Sequence, residues 1–474
     1  MDNALVLLPE FLLVLLSLAI LAFGRHFPRH VAPLATFGLV AVFGVLVGQA
    51  LTGAVGGSAF AQAVQIGPFA WLIRGVLLLM AAASSALAWG EAPRRPDLTF
   101  GLLLASAVGA LGVAASADAV ILYVSLTLMG MALTGLVAQS REHAAKEATM
   151  KVFLFQAVAG AVLLFGLTWL FGLGGSTSFV DLAAALQTPD TLLTFAMLLV
   201  LGGLAFTVAA VPFHAWLPDV TEGSSLAVGS WLLGGAGLAA VAGLVRVLIM
   251  LFATNTGLWA PYVTGLAVLS LLGGGLLALA QSDLRRMLAF GAVGTSGLVL
   301  LALVAASHPA SSQEGLMALL MTALTAGIAT LGIFAGLGAA KARSLTDLTG
   351  LHRRAPGLAL ALSACALALA ALPLSGAFWA RVTLVRSLLV YVSQSMQFGA
   401  LALAVLAMGM TVLAAYTALR IPKAIYLSPG AASSEGEAPS PHGAILWICA
   451  LLSVFFFVAP ALLWSVVGSA TKGF

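Results

Sequence analysis

The chain has 474 residues, of which 62% are hydrophobic and only 8% are charged, with a formal net charge of +4. Ordinary globular proteins carry about 25% charged residues, so this composition excludes a soluble fold and indicates an all-α polytopic membrane protein. Because the positive charges cluster in turns between apolar runs, they indicate membrane topology and give no sign of a nucleic-acid partner.

A membrane-spanning helix needs about 20 apolar residues, and the sequence contains about 14 such runs. The first run lacks a basic n-region and an A-x-A site, so we expect it to be retained as a span. In chain order the predicted spans are 4–23, 31–52, 69–90, 98–113, 117–138, 150–172, 191–218, 227–252, 262–281, 286–306, 315–340, 357–386, 398–420 and 444–467.

The lysines and arginines give an independent test of this count. Most of the 20 basic residues fall in or beside the turns after odd-numbered spans, whereas the turns after spans 2, 4, 6, 8 and 10 contain none. Cytoplasmic loops collect Lys and Arg, so the pattern predicts that both termini lie on the non-cytoplasmic side. Arg246, in the outer third of span 8, is expected to extend its guanidinium toward that surface.

Two of the predicted spans are interrupted by proline. Pro212 lies inside span 7 and Pro373 lies five spans later, after the related stretches Ala209-Ala210-Val211 and Ala370-Ala371-Leu372. Proline removes a backbone donor, and freed backbone groups at membrane depth are tolerated only in a protein interior or a wet cavity. Paired broken helices of opposite direction are typical of inverted-repeat transporters. Ordinary proline kinks are the alternative interpretation.

This pattern predicts two inverted five-helix repeats, each with a broken helix, in an antiporter-like arrangement. The predicted segments are an N-terminal three-helix segment (1–97), a first repeat (98–252), a second repeat (262–425), and a flexible cytoplasmic loop followed by the last helix (426–474).

The two cysteines, Cys365 and Cys449, both lie in apolar runs. Two thiols cannot ligate an iron–sulfur cluster and do not make a zinc site. No glycine-rich nucleotide loop follows a strand pattern either. Any redox chemistry is therefore expected on another chain.

Several stretches resemble subunit N of bacterial NADH-quinone oxidoreductase, respiratory complex I. VPFHAWLPDVTEG, from Val211, is similar to a signature segment of that family. The opening LLPEF is also similar to that family, as are the following stretches from the middle and second half of the chain: KEATMKVFLFQAVAGAVLLFG, QSDLRRMLAFGAVGTSG, LTDLTGLHRRAP and LPLSGAFWAR. They occur in the family's order between residue 8 and about residue 381.

The resemblance implies a membrane-arm subunit of a proton-translocating complex in the bacterial cytoplasmic (inner) membrane. Its partners would be the other antiporter-like and small membrane subunits and the lipid bilayer. FMN and iron–sulfur clusters would belong to other subunits, with no cofactor on this chain. Each antiporter-like subunit of the family is thought to carry two proton half-channels joined by a central hydrophilic axis.

The sequence departs from the family at most of the residues expected on that axis. The glutamate of span 5 is replaced by Thr127, the lysines of spans 7 and 8 by Thr207 and Gly237, and the histidine of span 10 by Thr295. Only Arg381 keeps a charge. Hydroxyl groups can order water but cannot hold a proton, and arginine stays charged at any working pH. The proton route is therefore expected to be impaired or carried by ordered water.

Some ionisable residues remain near the first break. Glu147 and Lys151 are four apart on one helix face and can pair, either as part of a proton pathway or as an interfacial ion pair. His214 can take up protons or brace the broken helix with a hydrogen bond. Asp219 and Glu222 mark the cytoplasmic mouth after Pro212, as capping or solvated groups.

Three hypotheses follow. The chain is a proton-conducting subunit N, or it is a non-pumping scaffold that keeps the fold and the subunit contacts. The third hypothesis is a homologous subunit of a ferredoxin-linked dehydrogenase, a membrane hydrogenase or a cation/proton antiporter complex.

Overall fold

The structure, a computed structural model, describes residues 4–52, 57–60, 62–395, 398–428 and 441–472. Nearly all of these residues are helical. The helices in chain order are α1 (Leu8–Phe23), α2 (Pro28–Leu51), α3 (Pro68–Glu91), α4 (Pro96–Ala115), α5 (Ala119–Ala138), α6 (Ala145–Gly174), α7 (Phe179–Ala185), α8 (Thr191–Thr207), α9 (Trp216–Gly223), α10 (Leu226–Ser230), α11 (Gly237–Val245), α12 (Thr256–Leu279), α13 (Leu284–Ala306), α14 (Ser312–Ala340), α15 (Leu351–Arg354), α16 (Pro356–Leu369), α17 (Gly376–Ser395), α18 (Phe398–Leu427), α19 (Pro441–Val458) and α20 (Pro460–Thr471).

Twelve helices of the described chain are long and apolar enough to cross a membrane. One of them, Leu226–Leu251, contains α10 and α11 joined through wider π-helical turns. Two further crossings are each made of two shorter helices, α8 with α9 and α16 with α17. The predicted architecture of about 14 crossings, two of them broken, is therefore confirmed, while the division into four segments stays a prediction.

Prolines and aspartates start many of these helices. Pro28, Pro68 and Pro96 occupy the first helical position of α2, α3 and α4, where the missing N–H costs nothing. Asp118 and Asp283 accept backbone N–H groups at the starts of α5 and α13. Helix starts are thus encoded locally in the sequence.

The turns divide into two ends of the helix bundle. The basic end contains turns 92–95, 139–144, 280–283 and 341–350, and there the backbone N–H of Leu284 donates to the carbonyl of Arg343 over 3.0 Å. The far end contains turns 116–118, 175–178 and 307–311, and there Asp118 bridges to Ser178.

The far end also carries a short antiparallel hairpin, β1 (Gly57–Ala59) with β2 (Val64–Ile66). Arg246 is only 3% exposed beneath it. Its Nε donates to the carbonyl of Ala114 over 2.8 Å and its Nη2 to the carbonyl of Gln65 over 2.9 Å. The prediction that Arg246 extends to the surface is therefore wrong, because the last carbonyls of α4 and β2 need buried donors.

Small residues let the central helices pack closely. A Cβ on Gly274 of α12 would overlap the backbone N of Gly294 on α13. Gly332 of α14 lies against both cysteines, Cys365 of α16 and Cys449 of α19, which are free and buried. This packing fixes the position of the second broken span against α14.

Candidate functional site

The first break follows the end of α8. Ala209 has φ +50°, and the N–H of Ala210 returns to the carbonyl of Ala205 over 2.9 Å, which closes the helix. Two serines from the second repeat satisfy the freed backbone groups. Ser270 Oγ accepts the N–H of Val211 at 2.8 Å, and Ser296 Oγ donates to the carbonyl of Val208 at 2.7 Å. A broken span survives here because its polar groups have partners.

The second break closes in the same way. Ala371 has φ +53°, and the N–H of Leu372 returns to the carbonyl of Leu367 over 3.2 Å. The sequence comparison paired Ala209 with Ala370, whereas the structure pairs it with Ala371. The two breaks are closed by equivalent hydrogen bonds. The second proline, Pro373, follows Ala371 one residue sooner than Pro212 follows Ala209.

Three neighbouring cavities run through the protein between the breaks. The central cavity, about 120 Å³, is lined by Thr207, Gly237 and Thr295. A second cavity of about 110 Å³ contains Thr127 and shares Thr207 with it. A third, about 50 Å³, shares Thr295 and is lined by Arg381. All five positions predicted for the axis therefore line three adjacent cavities that share lining residues, which we call the cavity row.

The cavity row can hold water but has little to hold a proton. The hydroxyl of Thr207 donates to the carbonyl of Leu204 over 2.7 Å, and that of Thr295 to the carbonyl of Gly291 over 3.1 Å. Each oxygen keeps lone pairs that can accept from a water molecule, and about 120 Å³ accommodates several waters. In the described chain, no carboxylate lines any of the three cavities.

Among the described residues that line the row, Arg381 is the one that carries a charge. Its Nη1 lies 3.5 Å from the hydroxyl of Thr322, a long contact, and its Nε is buried without a hydrogen-bond partner. Among the ion pairs of the described residues none includes Arg381. An unpaired guanidinium in a membrane interior repels further positive charge, so it sets the local potential of the row.

Gln156 is a lining residue that the sequence interpretation missed. It borders both the central cavity and the Thr127 cavity. Its Oε1 accepts from the hydroxyl of Thr134 over 3.2 Å, and its Nε2 occupies the space that a side chain on Gly130 would fill. The signal was available, because a glutamine amid the apolar residues of α6 is a polar exception.

Four of the predicted ionisable residues meet in one cluster at the basic end. Lys151 Nζ lies 2.6 Å from both Glu147 and Asp219. Arg286, which was not singled out from the sequence, joins Asp219 at 2.8 Å and Glu222 at 2.7 Å. We call these five residues the mouth cluster. All are partly exposed, so the cluster exchanges readily with water.

The mouth cluster stands next to the cavity row. Trp216 and Leu217, the first residues of α9, line the central cavity, and Asp219 follows them on the same short helix. On α6, Val152 lines the same cavity and is the neighbour of Lys151. The two elements that form the inner wall of the cavity thus also present the charged groups at its basic end.

His214 lies apart from both features. It is half-buried, its ring centroid is 6.3 Å from that of Phe290, and it lines none of the three cavities of the row. Its buried Nδ1 has no hydrogen-bond partner among the described residues. The ring of His214 also lies within hydrogen-bonding reach of the backbone of Pro212, while Ser270 and Ser296 bond the other backbone groups at the break.

A second charged group at the basic end joins the two repeats. Arg285 donates to Glu142 over 2.9 Å and to the carbonyl of Ser224 over 2.9 Å, and Arg343 also pairs with Glu142. Outside the spans, the backbone N–H groups of Ser344 and Arg343 hold the pKa of Asp347 below its usual range. These contacts fix the loops around the mouth cluster.

The described residues contain no group of three or more His, Cys, Asp or Glu side chains that could hold a metal ion.

Comparisons with known proteins place these features in a family. A family model described as "NADH:quinone oxidoreductase/Mrp antiporter, TM" matches residues 116–411. NADH-quinone oxidoreductase subunit N 2 of Acidobacterium capsulatum is 33% identical over 378 residues, 77% of this chain and 75% of the relative. Subunit N of Azorhizobium caulinodans is 31% identical over 478 residues, 98% of this chain and 97% of the relative.

Two solved structures are similar over nearly the whole chain. A chain of respiratory complex I from Thermus thermophilus with bound aureothin has a TM-score of 0.82 at 25% identity, covering 97% of this chain and 99% of that one. A chain of the Mrp complex from Dietzia sp. has a TM-score of 0.86 at 20% identity, covering 99% and 97%. At that identity the second likeness concerns the fold alone.

Proposed function

The chain belongs to the NADH:quinone oxidoreductase/Mrp antiporter family of transmembrane subunits, and from that premise we propose that it acts as subunit N in the membrane arm of an NADH-quinone oxidoreductase. There it contributes to proton translocation coupled to quinone reduction. Its partners are the other membrane-arm subunits and the surrounding lipid. Relatives named subunit N support this assignment, and the matches cover 75% of the length of one and 97% of the length of another.

The observation that carries the proton role is the cavity row beside the mouth cluster. Protons reach the row at Lys151 and Asp219 and then move along water held by Thr127, Thr207, Thr295 and the amide of Gln156. A charge moving through a membrane interior needs such polar, hydrated surroundings. Arg381, which cannot release its proton near neutral pH, supplies a fixed field at the end of the row.

The redox chemistry of the complex is assigned to other subunits. The two cysteines of this chain are buried in different helices, and two thiols cannot complete a cluster. The FMN and iron–sulfur clusters that the family resemblance implies are expected on other subunits, and this subunit would then act as a non-redox part of the translocase.

The orientation follows from charge. Lys and Arg collect at the basic end, so that end is assigned to the cytoplasm and both termini to the opposite side of the bacterial cytoplasmic membrane. Proton uptake at the mouth cluster then starts from the cytoplasm.

The test compares two threonines with similar hydrogen bonds. Thr207 and Thr168 both donate to carbonyls of their own helix, over 2.7 Å and 2.8 Å, but only Thr207 lines the row. Thr207→Val removes a water-binding hydroxyl from two cavities. The proton-to-electron ratio of the purified complex in sealed vesicles is therefore expected to fall, at most by the number of protons that this subunit contributes. Thr168→Val should leave it unchanged, and uncoupled quinone reduction should persist in both.

A non-pumping scaffold is the second candidate, and the absence of carboxylates from the lining of the row favours it. An unchanged ratio in Thr207→Val and in Arg381→Leu would support the scaffold and contradict a proton path through the row. The likeness to chains of an Mrp complex and of a membrane-bound sulfane sulfur reductase keeps a homologous complex as a further alternative. Identification of the co-purifying subunits separates that alternative from the other two.

A further inference from the structure

A line of polar groups continues from Arg381 toward the far end, along the contact between α14 and α17. Arg381 reaches the hydroxyl of Thr322, and the hydroxyl of Thr383 lies 3.9 Å from the Sδ of Met321. Further along the same antiparallel contact, Arg386 pairs with Glu314 at 2.8 Å. We call this contact the α14/α17 seam. Each step pairs a residue of one helix with a residue of the other.

The seam is partly covered and partly open. Trp464 of α20 donates its indole N–H to the hydroxyl of Thr383 over 3.2 Å, which covers the seam near its middle. Along α17, an open groove of about 590 Å³ extends from Arg381 past Arg386 to Ser393. Glu314 lies about 12 Å along α14 from Thr322. A proton therefore needs water to travel this distance, and the groove offers Arg381, Arg386 and Ser393 as polar partners for such water.

Glu314 is incompletely satisfied. One carboxylate oxygen, Oε1, pairs with Arg386, whereas Oε2 is buried and has no hydrogen-bond partner among the described residues. The Glu314 side chain is 29% exposed, while that of Arg386 is 69% exposed. A buried carboxylate oxygen without a donor is costly, and a bound proton or water molecule relieves the cost.

Three other charged or titratable groups lie at this end of the seam, namely Arg386, His308 and Tyr391. Arg386 approaches Glu314 from α17, and His308 lies in the turn before α14. The ring of His308 packs against that of Tyr391 of α17, with centroids 6.1 Å apart. The seam thus ends in a carboxylate, a guanidinium and an imidazole within the two packed helices and their turn.

We propose that the α14/α17 seam is the far-end leg of the proton path and that Glu314 is the group on it that binds and releases protons. The inference rests on the proposed function, because the seam begins at Arg381, where the cavity row ends. It also supplies a carboxylate on the two helices that meet at Arg381, whereas the described lining of the row contains none.

The chemistry needs only proton exchange. A protonated water chain from the row gives a proton to Oε2 of Glu314 and leaves a neutral carboxylic acid, whose ion pair with Arg386 becomes a weaker hydrogen bond. The acid then returns the proton to water at the far end, beside His308. Arg381 and Arg386 keep their charges throughout, so the proton passes only between water and Glu314.

The first experiment uses Glu314→Gln in the intact complex, with Asp181→Asn as the matched control. Asp181 is an exposed acid at the same end, and its carboxylate contacts Ser176 away from the seam. Glu314→Gln is expected to lower the proton-to-electron ratio by up to one subunit's share, with uncoupled quinone reduction retained. Glu314→Asp should restore much of the loss, and Asp181→Asn should have no effect.

A second measurement is independent of pumping. Infrared difference spectra of the purified complex, recorded between high and low pH, should contain a carboxylic-acid C=O band that Glu314→Gln removes and Asp181→Asn retains. Loss of the band without a change in the ratio would mean that Glu314 titrates off the path, which overturns the proposal. A band that persists in Glu314→Gln overturns it as well. If Thr207→Val has no effect while Glu314→Gln lowers the ratio and removes the band, the path through the row fails but the role of Glu314 stands.

Discussion

At the scale of single residues, Gly130 and Gln156 form a complementary pair in the wall of the cavity row. The amide of Gln156 fills the space beside the glycine of α5, so even a methyl group on Gly130 would overlap Nε2. The amide is also held by the hydroxyl of Thr134. The amide of Gln156 can therefore lie between the two cavities because residue 130 is a glycine.

We expect Gly130→Ala to change the free energy of unfolding by no more than about 1 kcal/mol, because the methyl group displaces only the flexible end of Gln156 while alanine favours the helix. Shortening the amide should relieve the overlap. The double variant Gly130→Ala with Gln156→Ala should therefore be more stable than the sum of the two single effects predicts, a coupling that thermal unfolding of the purified complex measures. Simple additivity would show that the amide has room to move.

At this scale the sequence predicted positions better than contacts. Thr127, Thr207, Gly237, Thr295 and Arg381 all line the row, and these positions were predicted from the resemblance to the family's motifs. The contact of Arg286 with Asp219 was not predicted, because it joins residues 67 apart in sequence. Such long-range ion pairs depend on the packing of two helices, and no local pattern encodes that packing.

At the scale of helices, the breaks show what ends a membrane helix. In both spans the last turn closes on a residue with positive φ, Ala209 or Ala371, before the proline is reached. The prolines led us to predict two broken helices, and this was confirmed. Their exact alignment was missed by one residue, because the hydrogen bonds of the helix end fix the break and the proline only prevents its continuation.

The contact between α12 and α13 provides a test at the same scale. Gly274 touches the backbone of Gly294, whereas Gly265 in the same helix has open space where a Cβ would lie. Gly274→Ala is expected to cost about 1 to 3 kcal/mol through separation of the two helices. Gly265→Ala should be neutral or stabilising, because alanine favours the helix. Equal melting temperatures for the two variants would contradict this account of the packing.

At the scale of the whole molecule, the two repeats are joined at the basic end by Glu142. This carboxylate from the turn after α5 pairs with Arg285 at the start of α13 and with Arg343 after α14. Arg285 is only 7% exposed, so its charge depends on this partner. The contact connects the loop that precedes the mouth cluster to the second repeat.

Glu142→Gln should therefore destabilise the protein by about 1 to 3 kcal/mol, since a nearly buried guanidinium loses a charged acceptor. Glu147→Gln is the matched control, because Glu147 is 70% exposed and its pair with Lys151 is worth at most about 1 kcal/mol. Chemical unfolding in detergent, followed by tryptophan fluorescence, compares the two. A larger loss in Glu147→Gln would contradict the joining role of Glu142.

The burial of both cysteines has a practical consequence for sidedness. Cys365 and Cys449 are enclosed by α14, α16 and α19, so a water-soluble maleimide should not reach them in the folded protein. The natural sequence therefore serves as an unlabelled background. A cysteine introduced at Asp347, in the basic-end loop, and another at Asp181, near the far end, would each give a single reporter. An impermeant reagent applied to intact cells should label only the cysteine at position 181. The sidedness of every span then follows from comparing the labelling of the two variants on a gel.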